Sequence, residues 1–315
     1  QFYVNMKASD FPPVQKSLQR AEGIQSFLEW KSDTSLPPLH FAHANGFNGM
    51  TYRHLLAPLA DRFHIRAWDA RGHGATSLSA DPATQTSWYR YADDLIVLLE
   101  QFAEEAGGSV LLAGHSMGGA TSILAAAERP DLVRGIILLD PVMIRRHQGR
   151  MLRLMTKVGL RIGPQDLAAG AQKRRSVFPD RQTMVESYRG RGIFRTWPEA
   201  FLLDYVEGGT RSLPSGEVEL ACAPAWEAAN FRGHNHDIFA GLAKLNVPLT
   251  LIYAGIGSTC RGNAPFLIGE QDKRATLLRI GTGTHFLPVE YPDIVGREIV
   301  ALYDRILGLE EKAAA

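Results

Sequence analysis

Short runs of consecutive apolar residues alternate along most of the chain with longer segments in which apolar residues recur every three or four positions. The first pattern is typical of strands that are buried on both faces, and the second is typical of amphipathic helices. The predicted strands lie at 23–30, 39–41, 63–68, 110–113, 133–139, 247–253 and 275–280. The predicted helices lie at 51–62, 88–106, 117–129 and 293–307.

This alternation predicts an α/β fold. Parallel strands need long crossover connections, which helices usually supply, and a sheet of such strands is covered by helices on both faces. We therefore expect a mostly parallel, doubly wound sheet.

The alternation stops after Pro141 and resumes at Val247. Residues 142–245 contain no continuous apolar strand, only helix-like stretches such as 151–160 and 198–206. The pattern predicts a discontinuous α/β core formed by residues 1–141 and 246–315. A helical cap of residues 142–245 would be inserted after the sixth strand.

Composition narrows the class of protein. The chain has 315 residues, 45% of them hydrophobic, a net charge of +1 and two cysteines. No apolar run approaches the roughly 20 residues that a membrane span needs, and the charge does not favour nucleic-acid binding. Cys222 and Cys260 are too few for a disulfide framework, so we expect two free thiols.

Two local features leave questions open. The chain starts at Gln1 without a charged-then-apolar leader, which favours the cytoplasm, with Met6 as a candidate natural start.

Residues 145–175 hold nine Lys or Arg against one acid, Asp166. This basic segment fits the solvated face of a cap helix, or a surface that attracts anionic substrates or lipid.

The segment Gly114-His-Ser116-Met-Gly118 is the candidate catalytic motif of the sequence. It follows a predicted strand and opens a predicted helix, the context in which a Gly-x-Ser-x-Gly sequence forms a sharp turn that exposes the serine hydroxyl. The N-terminus of the helix would direct free N–H groups and a positive dipole end to the same point. Ser116 is therefore the candidate nucleophile.

With this motif the sequence resembles the α/β-hydrolase family over nearly its whole length. Four segments stand in the order of that family, at 43–47, 69–74, 114–118 and 281–286. The resemblance implies the α/β-hydrolase type of sheet and a catalytic base in the last of these segments. That base is His285, since a serine needs a neighbouring group to accept its proton.

The acid departs from the usual family pattern. Ser258 stands where the family most often has aspartate after the seventh strand, and a serine cannot carry the required charge. Some members place the acid after the sixth strand, where this chain has Asp140, and we expect Asp140 to be the acid. An aspartate before proline is also a common turn former. The alternatives are Glu270, Asp272 and Asp237.

An oxyanion site needs two preorganised donors, typically backbone N–H groups. Met117, directly after the nucleophile, is expected to supply one, and Asn45 the other, because Ala44 replaces the usual glycine. We expect His43, His73 and His115 to support the backbone by hydrogen bonding. The residues expected to line the substrate pocket are Phe47, His115, Trp197 and Phe286.

These residues predict a serine hydrolase that cleaves small to medium carboxylic or thio esters with an apolar or aromatic part. The same triad would also serve a carbon–carbon bond hydrolase, a lactonase or a perhydrolase, and receptors can retain it without hydrolysis. Neither a metal nor another cofactor is expected. His234 and His236 lack a second ligand cluster, and Gly255-Ile-Gly257 lacks the rest of a dinucleotide fingerprint. The pattern leaves the oligomeric state open.

Overall fold

The fold is built on a central sheet of eight strands. The computed structural model describes residues 12–30, 33–143, 150–151, 154–155 and 165–314. In chain order the strands are β1 Val14–Arg20, β2 Gly23–Trp30, β3 Pro38–Ala42, β4 His64–Trp68, β5 Val110–His115, β6 Val133–Leu139, β7 Val177–Phe178, β8 Thr210–Ser212, β9 Val218–Leu220, β10 Leu249–Ala254 and β11 Thr276–Ile280. The large sheet has the order β1-β2-β4-β3-β5-β6-β10-β11.

The predicted sheet architecture is confirmed. From β4 to β11 all neighbouring strands are parallel, while β1 and β2 form an antiparallel edge. The central strands β3 and β5 are buried along their whole length, which explains their continuous apolar sequence. The edge strand β1 was not predicted, because most of its residues are polar and exposed.

Helices cover both faces of the sheet. They are α1 Arg53–Leu56, α2 Tyr89–Ala106, α3 Met117–Glu128, α4 Gln165–Gln172, α5 Arg181–Tyr188, α6 Glu199–Gly208, α7 Pro224–Arg232, α8 Ile238–Leu242, α9 Ala264–Gln271, α10 Leu287–Glu290 and α11 Pro292–Ala314. One apolar core contains residues of α1 and α11, and the other contains residues of α2 and α3. This two-faced covering matches the predicted doubly wound arrangement.

Residues 142–245 differ in one respect from the predicted helical segment. They contain α4 to α8, but also a three-stranded antiparallel sheet with the order β7-β9-β8. Its strands are only two or three residues long, too short to leave an alternating pattern in the sequence. The helix predicted at 198–206 is α6, while most of the one predicted at 151–160 lies outside the described residues.

Residues 142–245 connect two neighbouring strands of the large sheet, leaving at the carboxyl end of one and returning at the amino end of the other. Strand β6 ends at Leu139, and its parallel neighbour β10 begins at Leu249. Two observations show how α6 contacts the core. Arg53 donates two hydrogen bonds of 2.8 and 2.7 Å to the carboxylate of Asp204, and the side-chain amide of Asn48 donates to the carbonyl of Tyr205 at 3.1 Å.

None of the helices in the described ranges is both long and apolar enough to cross a membrane.

Candidate active site

Ser116 sits on the sharp turn between β5 and α3. Its φ is +56°, a left-handed conformation that is strained for a residue with a side chain. Glycine is required on both sides of it. A Cβ on Gly118 would lie 2.1 Å from the carbonyl oxygen of Ala42, and one on Gly114 would lie 2.5 Å from that of Gly118. The two glycines therefore let the turn pack closely against itself and against the end of β3.

His285 lies beside this serine, although 169 residues separate them in the chain. The loop after β11 carries it to the same edge of the sheet. Its Nε2 is 2.9 Å from the Oγ of Ser116, so the hydroxyl can donate its proton to the ring. Its Nδ1–H donates to an oxygen of Asp140 at 2.6 Å. The three predicted side chains therefore form one continuous hydrogen-bonded series.

Asp140 follows β6 directly, has a φ of +41° and is completely buried. Burial would raise the pKa of its carboxyl group, but the hydrogen bond and charge of His285, together with donors from Ala254 and Ser258, outweigh that effect. The net result is a pKa below the usual range, so the carboxylate is charged at neutral pH.

The last residue of β10 and the loop after it supply most of the donors to Asp140. The amide of Ala254 donates at 2.9 Å and the hydroxyl of Ser258 at 2.6 Å to Oδ1, while the amide of Thr259 donates at 2.9 Å to Oδ2. The sequence alone predicts no role for Ser258 or Thr259. The available signal was a serine in the usual place of the acid, with a carboxylate after the neighbouring strand.

In the loop of residues 43–47, most of the backbone amides that follow His43 donate within the protein. The amide of Ala44 donates to the hydroxyl of Tyr52, that of Gly46 to a ring nitrogen of His73, and that of Phe47 to the carbonyl of Ala44. The Asn45 amide has no acceptor anywhere in the described part of the chain. Met117, as the first residue of α3, has no acceptor within its own helix.

Two buried histidines fix this loop, as predicted. His43 donates from Nδ1 to the carbonyl of Ala44 at 2.7 Å and accepts at Nε2 from the amide of Ala70 at 2.9 Å. His73 accepts from the amide of Gly46 at 3.0 Å. Burial lowers the pKa of His73 to about 4, which leaves its accepting nitrogen unprotonated at neutral pH.

The four predicted pocket residues form one aromatic cluster. The ring centroid of Phe47 lies 5.3 Å from that of Trp197, 6.1 Å from that of Phe286 and 6.1 Å from that of His115. Trp197 comes from residues 142–245, whereas the other three come from the sheet side. His115 is completely buried, and both of its ring nitrogens hydrogen-bond within the protein.

The alternative acids lie elsewhere. Asp272 accepts from the amide of Leu249, at the opposite end of β10 from His285, and Glu270 pairs with Lys273 at 2.8 Å. Asp237 caps α8 by accepting from the amide of Ala240. The structure therefore brings none of the three to the serine.

Only part of the basic segment 145–175 can be followed. Arg145, Arg146, Arg153, Lys157 and Arg161 lie outside the described residues. Among the rest, Lys173 and Arg175 are exposed, whereas Arg174 pairs with Glu227 at 2.6 Å. In the described ranges, no group of three or more His, Cys, Asp or Glu is placed to hold a metal ion.

Sheet order, nucleophile turn and the returning histidine loop together define the α/β-hydrolase fold. Residues 39–198 match the family model for serine aminopeptidase, S33, and the chain belongs to that family. Solved structures agree on the fold. An E-2-(acetamidomethylene)succinate hydrolase has a TM-score of 0.73 at 22% identity, covering 93% of this chain and 100% of that one. A peroxisomal α/β-hydrolase from Saccharomyces cerevisiae has a TM-score of 0.75 at 15% identity, covering 95% and 90%.

Hydrolases and a lipase are among the sequence relatives. The chain is 39% identical over 113 residues to 2-(acetamidomethylene)succinate hydrolase of Mesorhizobium japonicum, covering 36% of this chain and 38% of that protein. It is 24% identical over 300 residues to human monoglyceride lipase, covering 88% and 85%. The matches to the first two relatives span less than half of the length of each, at 38% and 49%.

Proposed function

We propose that the protein is a serine hydrolase of small to medium carboxylic or thio esters. The observation that carries this proposal is the hydrogen-bonded series Ser116, His285 and Asp140, with distances of 2.9 and 2.6 Å. A serine hydroxyl is a weak nucleophile until a base removes its proton as it attacks. The distance of 2.9 Å between His285 Nε2 and Ser116 Oγ supports His285 as that base.

The reaction would proceed in two halves. Ser116 Oγ attacks the acyl carbonyl while His285 Nε2 takes its proton, and the same nitrogen returns the proton to the leaving oxygen or sulfur. Water then attacks the acyl-enzyme by the same exchange. Throughout, the buried carboxylate of Asp140 holds the ring in one tautomer and stabilises the imidazolium.

Charge that develops on the substrate oxygen would be stabilised by the amides of Met117 and Asn45. The Asn45 amide is favoured because the backbone amides of its neighbours Ala44, Gly46 and Phe47 already donate within the protein. The aromatic cluster around Phe47, with Phe286 and Trp197, would contact the apolar part of the substrate.

Labelling by a fluorophosphonate tests the proposal. We expect the wild-type protein to label and to hydrolyse p-nitrophenyl esters, and Ser116→Ala to do neither. Ser122→Ala is a matched control, since Ser122 is a buried serine of α3 whose hydroxyl donates to the carbonyl of Gly118. We expect that variant to label. A wild-type protein that neither labels nor hydrolyses any ester would instead indicate a ligand receptor.

A second candidate comes from the 39% identical stretch shared with 2-(acetamidomethylene)succinate hydrolase. The same serine would then attack the acyl group of an acylated aminomethylene dicarboxylate. Adding 2-(acetamidomethylene)succinate to the ester panel separates the two candidates, because the preferred substrate has the higher kcat/KM.

A further inference from the structure

A chain of buried hydrogen bonds joins the loop of residues 43–47 to the backbone of His285. It starts at the amide of Ala44, which donates to the hydroxyl oxygen of Tyr52 at 3.3 Å. The hydroxyl of Tyr52 lies 2.7 Å from Nδ1 of His115. Nε2 of His115 lies 2.7 Å from the carbonyl oxygen of His285. Tyr52 and His115 are both completely buried.

In each of these hydrogen bonds, the chemistry of the groups fixes which one donates and which one accepts. The carbonyl of His285 can only accept, so Nε2 of His115 must carry a hydrogen. Burial, and then the charge of His285, lower the pKa of His115 to about 3, so at neutral pH its ring carries only that one proton. Nδ1 therefore accepts, and the Tyr52 hydroxyl donates to it.

We propose that Tyr52 and His115 are positioning residues, which hold the backbone of the His285 loop and the loop of the oxyanion donor at a fixed separation. The inference rests on the proposed function. The hydrogen bonds of the His285 ring to Ser116 and Asp140 orient its imidazole, whereas His115 anchors its main chain. At the other end, Ala44 directly precedes Asn45.

This arrangement matters because proton removal and oxyanion stabilisation take place in the same transition state. A displacement of about 1 Å between a base and its partner can cost about 100-fold in rate. Neither loop is a regular helix or strand at the residues concerned, so the buried side chains of Tyr52 and His115 provide a rigid connection between them.

A neutral His115 also protects the base electrostatically. Its ring centroid lies 4.9 Å from that of His285. During catalysis His285 becomes positively charged, and a second imidazolium at that distance would oppose this step. Donation by Tyr52 to Nδ1 occupies the site at which His115 would otherwise be protonated.

The first test is Tyr52→Phe in the full chain, which removes one oxygen and keeps the ring packing against Phe41. We expect kcat to fall about 10-fold with KM within about twofold of wild type, and fluorophosphonate labelling to slow by the same factor. Tyr303→Phe is the control, since that ring packs on Phe63 away from the site. An unchanged kcat, or a change confined to KM, would overturn the proposal.

The second test compares two replacements of His115. Gln places an N–H near the position of Nε2 and can still reach the carbonyl of His285, whereas Asn places its amide near Nδ1 and reaches only toward Tyr52. We expect His115→Gln to retain about 10-fold more kcat than His115→Asn. Equal activity of the two variants would contradict the anchoring of His285.

The third readout needs no substrate. In ¹⁵N spectra of histidine-labelled protein, His115 should be the Nε2–H tautomer at neutral pH, and its Nδ1 signal should shift in Tyr52→Phe. The Nδ1–H tautomer would overturn the proposal even in an active enzyme. An inert wild-type protein would overturn the proposed function itself, and that result is visible before any variant is compared.

Discussion

At the residue scale, the position of the proposed acid follows from the geometry of parallel strands. Strands β6 and β10 are neighbours, and their carboxyl ends meet at one edge of the sheet. Neighbouring strands lie about 4.8 Å apart, so a carboxylate after either one can reach the same imidazole. In this chain the carboxylate follows β6 as Asp140, and Ser258 after β10 donates to it.

Replacing Asp140 by Asn is expected to reduce kcat by about 10⁴-fold, because an amide cannot accept from all the donors around it and no longer holds the tautomer of His285. Steady-state kinetics on the best ester measures the loss. Asp272→Asn is the matched control, since Asp272 lies at the other end of β10. Near-normal turnover in Asp140→Asn would move the acid to another residue.

The sequence predicts the three residues that local signals mark. Ser116 lies between glycines on a strand-to-helix turn, Asp140 directly follows a predicted strand, and His285 lies in the Gly/Thr loop after the last predicted strand. It does not predict their partners, because the contact of His115 with His285 spans 170 positions and that of Tyr52 with His115 spans 63. Contacts between residues so far apart in the sequence leave no local pattern from which they could be predicted. The short strands β7 to β9 were not predicted because strands of two or three residues leave no alternating pattern in the sequence.

At the scale of elements, helix α7 holds the loop of the proposed oxyanion donor. The side-chain amide of Asn45 donates to the carbonyl of Glu227 at 3.1 Å, and that of Asn230 donates to the oxygen of Asn45 at 2.9 Å. Both partners belong to residues 142–245. Residues 142–245, which also supply Trp197 to the aromatic cluster, therefore hold the side chain of Asn45.

We expect Asn230→Ala to lower kcat by about 10-fold, because one of the two hydrogen bonds to the Asn45 side chain is lost and the loop gains freedom. The rate of fluorophosphonate labelling should fall in parallel. Arg189→Ala, which removes an exposed ion pair with Glu199 on the same segment, is the control and should leave both rates unchanged. A loss in both variants would indicate a general effect on this segment.

At the scale of the whole molecule, one buried carboxylate makes stability depend on pH. Glu29 in β2 accepts hydrogen bonds from His64 at 2.9 Å and Arg66 at 2.8 Å, both in β4. Burial would raise its pKa, but these two hydrogen bonds and the attached charges outweigh burial and lower the pKa to about 2. The folded state thus favours the charged form.

Because the folded pKa lies below the unfolded one, the stabilisation is fully present above about pH 4.5 and is lost as the pH falls towards 2. We expect Glu29→Gln to lower the free energy of unfolding by roughly 3 kcal/mol at pH 7 and by clearly less at pH 3. Urea unfolding at the two pH values measures this difference. A loss that is equal at both would assign the effect to packing.

Residues 142–245 lie between two neighbouring strands, β6 and β10, and this placement affects how new substrate specificities could arise. Such a segment can be exchanged between relatives without changing the order of the sheet, since β6 and β10 pair with each other directly and no strand of the large sheet comes from the segment between them. The bonds to Asn45 set the condition for such an exchange. A transplanted segment would have to bring its own donor and acceptor for that side chain, or the recipient would bind its new substrate and turn it over slowly.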